Sequence, residues 1–195
     1  VFSILFFVLV IGIVIFQYSR NTETNINYEN FNLVAPGILR TPDERFDNLK
    51  DYPFKPNYLI IGNTRIHYID EGPKDGQIIY LLHGEPTWSY LFRKMIPTLI
   101  DEGYRVIAPD MVGFGKSDKY ISVDDYSHQM HVDKMTQLII ELDLKNITAH
   151  FHDWGGPVGL RVLAKEPNRF DRVIASNTSL PATGRGFLND LKGYL

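Results

Sequence analysis

Between residues 58 and 176, short β-rich apolar runs alternate with longer stretches whose apolar residues recur at helical spacing, and no other feature constrains the fold as much. The runs over 58–61 and 64–69 flank Gly62-Asn63, a tight-turn pair, and predict a hairpin closed by Gly72 and Pro73. A continuous apolar run over 78–82 reads as a strand buried on both faces, and a helix over 88–100 follows it and stops at Gly103. Strands over 104–108, 147–151 and 172–176 and helices over 123–142 and 155–165 continue the series. Strand-helix alternation of this kind specifies an α/β fold: a mostly parallel sheet with right-handed crossovers and helices on both faces.

Composition mainly excludes. A chain of 195 residues with 44% hydrophobic and 22% charged content suits one globular domain. The formal charge of -3 and the scattering of Lys and Arg leave no basic stripe, so no nucleic-acid partner is expected. The absence of cysteine removes disulfides, thiolate catalysis and Cys-type zinc sites.

From residue 1 to 16 every residue except Ser3 and Gly12 is a large hydrophobe. A helix of that length covers about 24 Å of a hydrocarbon core of about 30 Å, and the residues after Val14 show no small-x-small cleavage pattern. Residues 1–18 are therefore expected to anchor the protein in a lipid bilayer, in an orientation the sequence does not fix. A signal peptide of a secreted or periplasmic protein is the alternative. Residues 19–57, rich in Asn, Asp, Glu and Pro, read as a polar tether followed by irregular structure. Residues 58–180 read as the N-terminal half of the α/β core, and 181–195 as the start of a cap region. Val1 is not a methionine and Leu195 falls inside an amphipathic stretch, so a longer protein is expected, with this chain stopping before the cap and last strands.

In such sheets reactive groups collect at the carboxyl ends of the strands. Three of those ends are informative: His83-Gly84-Glu85-Pro86, Pro109-Asp110 with Gly113 and Gly115, and His152-Asp153-Trp154-Gly155-Gly156. The last has the layout of a nucleophile elbow, a sharp strand-to-helix turn that needs small residues so that one side chain can project. Its apex is Asp153, and a carboxylate is ionised at neutral pH without help from a base. Its natural target is a saturated carbon bearing a leaving group. Attack gives an enzyme ester, whose hydrolysis passes through an oxyanion. The elbow supplies backbone donors for that oxyanion at Trp154 and at Glu85. The Trp154 indole N–H can donate and cannot accept, so in a pocket it can hold a departing halide. The bland alternatives are that Asp153 caps its helix and that Trp154 packs in the core.

The segments His83-Gly84-Glu85-Pro86-Thr87-Trp88, Ala108-Pro109-Asp110 through Gly113-Phe114-Gly115-Lys116-Ser117-Asp118, and Asp153-Trp154-Gly155-Gly156 resemble haloalkane dehalogenases of the α/β-hydrolase superfamily. Leu39-Arg40-Thr41-Pro42 and Tyr52-Pro53-Phe54 resemble the start of the branch with Glu in the oxyanion loop, and the similarity spans about residues 38–182. The resemblance implies an α/β-hydrolase fold and hydrolysis of a carbon–halogen bond through an aspartyl ester. Asp153 is the implied nucleophile, Trp154 the halide ligand and oxyanion donor, and Glu85 the second backbone donor. The implied substrate is a small halogenated alkane with water, the products an alcohol and a halide ion, and no cofactor or metal is implied. The family's general-base His and cap Trp fall beyond Leu195, so this chain alone is expected to be inactive. Asn177 stands where one branch has the Glu that orients the base, which implies an Asp further on.

Two rival functions remain at this point. Epoxide hydrolases of the same fold also use an Asp in a His-Asp-Trp-Gly context, and Glu85-Pro86-Thr87 argues against them because epoxide opening needs phenol donors in place of a halide cradle. A non-catalytic membrane-anchored relative is the rival from another class. Other residues read as structural. His152 is a poor base beside Asp153, His83 shapes the oxyanion loop, Asp110 fixes a turn, and His128 and His131 are solvated on a polar helix face. Gly113-Phe114-Gly115 is too short for a dinucleotide fingerprint, and the sequons at Asn146 and Asn177 lie at strand ends.

Overall fold

The computed structural model describes residues 32–179. The expected anchor (1–18) and cap start (181–195) lie outside the described residues, as does the first part of the expected tether. No helix among the described residues is long and apolar enough to cross a membrane.

The described residues begin with two short strands, β1 (Leu33–Ala35) and β2 (Ile38–Leu39), followed by the hairpin β3 (Asn57–Ile61) and β4 (Thr64–Glu71). β5 (Ile78–Leu82), a 3-10 turn at Ser89–Phe92, α1 (Met95–Asp101), β6 (Arg105–Pro109) and β7 (Lys119–Tyr120) come next. α2 (His128–Glu141), β8 (Ile147–His152), α3 (Gly155–Lys165) and β9 (Phe170–Ser176) complete the described residues. Six strands form one sheet in the order β3-β4-β6-β5-β8-β9. β4 is antiparallel to both of its neighbours, β3 and β6, while β6, β5, β8 and β9 run parallel, so their carboxyl ends share one edge.

Alternation along the strands fills both faces, because successive side chains of a strand point to opposite sides. In β5, Tyr80 and Leu82 enter a core with Val132, Met135 and Leu138 of α2 and Val158 and Val162 of α3. Its Leu81 enters the opposite core with Phe92 and Ile96. β6 divides likewise, Ile107 to the first face and Val106 and Ala108 to the second. Helices on both faces explain why the parallel strands read as unbroken apolar runs.

Within residues 19–57, expected to be a polar tether followed by irregular structure, the structure places two short strands over residues 33–39, while residues 40–56 hold no regular element beyond a 3-10 turn at Asp43–Phe46. β1, β2 and β7 form a separate small antiparallel sheet in which Ile38 is 1% exposed. Its partner lies far along the chain: the Arg40 guanidinium donates to both carboxylate oxygens of Asp118, at 2.7 and 3.0 Å. The expected helix over 88–100 also begins later, at Met95, because the backbone N–H of Ser89 is held by Asp110 at 2.8 Å.

Candidate active site

Asp153 stands between β8 and α3 at the shared strand edge, where the chain turns from strand to helix within two residues. The turn forces its φ to +53°, a left-handed conformation that Asp tolerates better than most residues and that carries strain. Its backbone is held on both sides. The N–H donates to Ser176 O at 3.3 Å, and the carbonyl accepts from the Gly156 N–H at 2.9 Å and from the Thr178 hydroxyl at 2.7 Å.

The carboxylate is occupied differently from a helix cap. α3 starts without a side-chain cap hydrogen bond. Asp153 Oδ1 instead accepts the backbone N–H of Glu85 at 3.0 Å, and among the described residues Oδ2 accepts none. Close approach depends on Gly84: a Cβ there would lie 2.7 Å from Asp153 Cγ. At Gly155 a Cβ would stand 2.6 Å from His83 O, so glycine also lets α3 start against the end of β5.

The oxyanion loop is fastened from behind by His83, which is fully buried. Its Nε2 accepts the Met111 N–H at 3.0 Å, so the proton is on Nδ1, which donates to Gly84 O at 2.9 Å. Burial lowers the His83 pKa, and the ring stays neutral. Asp110 ties three segments together. Its carboxylate contacts His67 Nδ1 at 2.8 Å and accepts backbone N–H donors from Ser89 at 2.8 Å and Lys116 at 2.9 Å. Burial acts to raise the Asp110 pKa, but His67 and these donors outweigh it and hold the carboxyl below the usual range. Both residues thus have the structural roles expected of them.

A cavity of about 290 Å³ opens beside this turn, lined by Glu85, Met111, Phe114, Trp154 and Val158, and by Tyr126, Ser127, His128 and His131. Asp153 is not part of the lining; it is bonded to one lining residue, Glu85, and precedes another, Trp154. Trp154 therefore faces the cavity and is not a core residue, with its ring 6.5 Å from that of His128.

The reading of His128 and His131 as solvated residues is corrected. Both are partly buried in the cavity wall, because the first turn of α2 lies at the same end of the sheet as Asp153. Arg161 donates to His128 Nδ1 at 2.8 Å, and burial lowers the pKa of both rings, that of His131 to about 4. The Ser127 N-cap was the signal that could have located that helix start. Sequence reasoning also missed Thr178, whose contact with Asp153 spans 25 positions. No hydrogen bond joins His152 to the Asp153 carboxylate among the described residues, and Asn177 is exposed after β9. No three His, Asp or Glu side chains of the described residues come together as a metal-binding group.

The fold, the strand-to-helix turn and the amide facing its apex define a class. The chain belongs to the α/β-hydrolase fold family, whose model matches residues 77–194. Within it, the chain is similar to a haloalkane dehalogenase of Psychrobacter cryohalolentis, 54% identical over 159 residues that cover 77% of this chain and 52% of that protein. A haloalkane dehalogenase of Mycolicibacterium paratuberculosis is 50% identical over 76% of this chain and 51% of its own length. Among solved structures, the haloalkane dehalogenase DpaA from Paraglaciecola agarilytica superposes with a TM-score of 0.71 at 45% identity, over 80% of this chain and 55% of that one. The chain spans about half the length of the curated relatives it matches.

Proposed function

We propose that this chain carries the nucleophile half of a haloalkane dehalogenase, a hydrolase that splits a carbon–halogen bond of a small halogenated alkane with water. The observation that carries the reading is the Glu85 N–H on Asp153 Oδ1, which leaves the other carboxylate oxygen available and aims the group away from a helix-capping role. The names of the similar proteins support the same chemistry.

In the first step an Asp153 oxygen attacks the halogen-bearing carbon. The new carbon–oxygen bond forms as the carbon–halogen bond breaks, and the halide leaves with the bonding pair toward the Trp154 indole N–H. Water then attacks the ester carbonyl carbon. The developing oxyanion lies against the backbone N–H groups of Glu85 and Trp154, and its collapse releases the alcohol and regenerates the carboxylate. The general base that takes the proton from water, and a second halide ligand from a cap, are assigned to residues beyond this chain.

Oxygen labelling tests the sequence of steps. A single turnover of the full-length protein in ¹⁸O water should leave the product alcohol unlabelled and place ¹⁸O in the peptide containing Asp153. Label appearing in the first alcohol instead would mean direct attack by water and would overturn the ester route.

We further propose that residues 1–18 hold the protein at a lipid bilayer, a reading supported by the run of large hydrophobes over residues 1–16, interrupted there by Ser3 and Gly12 alone. Carbonate extraction should leave the full-length protein in the membrane fraction; its release into the supernatant would count against the anchor.

A further inference from the structure

The peptide group that presents the Glu85 N–H to Asp153 is tied three times through its other end. Gly84 O and the Glu85 N–H belong to one peptide plane, and because that bond is trans they point in opposite directions. Three donors converge on Gly84 O: His83 Nδ1–H at 2.9 Å, the Thr87 N–H at 3.0 Å and the Thr87 hydroxyl at 2.8 Å. A carbonyl oxygen offers two lone pairs, so this one is fully loaded. Two of the three donors come from Thr87, a half-buried residue that does not line the cavity.

Fixing the carbonyl fixes the amide. With Gly84 O held by three donors, the Glu85 N–H is kept turned toward Asp153 Oδ1, 3.0 Å away. Hydrogen bonds accepted by a carbonyl also polarise its peptide group and strengthen the N–H as a donor. We propose that Thr87 is a positioning residue that aims and polarises the Glu85 amide, chiefly for hydrolysis of the ester; this rests on the dehalogenase reading. Oδ1 carries the amide, so Oδ2 forms the bond to carbon and Oδ1 becomes the ester carbonyl oxygen. In that first step negative charge leaves Oδ1 for the departing halide, and a stronger amide gives no help. In the second step water attacks the carbonyl carbon, the C=O π pair moves onto Oδ1, and the water proton passes to the base assigned beyond this chain. Full negative charge then lies against the Glu85 N–H, where an oriented donor counts most. A threonine that merely closed a turn would affect both steps alike.

Single-turnover measurements on the full-length protein with 1-bromobutane resolve the two steps. Bromide release reports ester formation, and the butylated Asp153 peptide, followed by mass spectrometry after acid quench, reports its hydrolysis. Thr87→Val, which keeps the shape and the backbone N–H but loses the hydroxyl, should leave bromide release within about twofold and slow ester decay about tenfold. That loss is smaller than the roughly 100- to 1000-fold of removing an oxyanion donor outright, because the Glu85 amide itself remains. Thr87→Ser should recover most of the decay rate. Thr87→Ala should repeat the Val result, and it serves in place of Val if the methyl that replaces the hydroxyl does not fit. Ester decay unchanged in the hydroxyl-free variants overturns the role of Thr87 alone, and so does equal slowing of both steps. No bromide release from the wild-type protein overturns the dehalogenase reading and this proposal with it.

Discussion

The backbone N–H of Glu85 donates to the carboxylate of Asp153 across 3.0 Å, joining two strand ends that are 68 positions apart in the sequence. The donor is fixed before any substrate arrives. His83 holds the Gly84 carbonyl from behind, and Gly84 carries no side chain to keep the two loops apart. A donor preset in this way can stabilise charge in a transition state without reorganising, which is the main source of catalytic power in oxyanion sites.

Gly84→Ala should therefore be severe. The added methyl would stand 2.7 Å from Asp153 Cγ and push the carboxylate off the Glu85 amide. Halide release by the full-length protein should fall roughly 100-fold, the scale expected of a displacement near 1 Å. Steady-state kinetics with circular dichroism as a folding control checks this.

Thr178 fixes the same residue from the other side, through its 2.7 Å bond to the Asp153 carbonyl. Thr178→Val should lower kcat about tenfold while KM stays nearly constant, because the elbow shifts but the cavity wall does not. Thr178→Ser keeps the donor and should recover most of kcat. A loss expressed in KM alone would contradict this positioning role.

Asp110 is a matter of stability. Replacing it by Ala would leave His67, the Ser89 N–H and the Lys116 N–H without their buried acceptor. Removing one partner of a buried charged network costs about 3–5 kcal/mol. Urea unfolding should show a loss of that size.

The histidines set an acid limit. Burial lowers the pKa of His83, His128, His131 and His150, in the case of His131 to about 4. The unfolded chain takes up protons at these rings near pH 6.5, whereas the folded chain resists doing so. Stability should thus be complete above about pH 6.5 and decline as the pH falls toward 4. His131→Gln should flatten that decline, measured as the difference between urea midpoints at pH 7.5 and pH 5; an unchanged difference would contradict the burial of His131.

Much of this architecture was readable because its signals are local. The run at 78–82 and the helix at 155–165 fall on the residues expected, since an unbroken apolar run and a Gly-Gly helix start are visible within a few positions. The contents of the three strand ends were legible for the same reason. What escaped depends on distant partners. β1, β2 and β7 are two or three residues long, too short for any periodicity, and Arg40 reaches Asp118 across 78 positions. Thr178 is an ordinary loop residue until β9 pairs with β8 and brings it to the elbow. His128 and His131 sit in a polar stretch, and only the placement of the start of α2 at the strand edge turns them into a cavity wall.

The central claim is that the Asp153 carboxylate is the nucleophile, and its most direct test is bromide release from 1-bromobutane by the full-length protein and its Asp153→Asn variant. An amide of the same shape keeps the turn but cannot form the ester. The prediction is a loss of at least about 10⁴-fold in kcat with an unchanged urea midpoint. Sustained bromide release by a folded Asp153→Asn protein would contradict the mechanism.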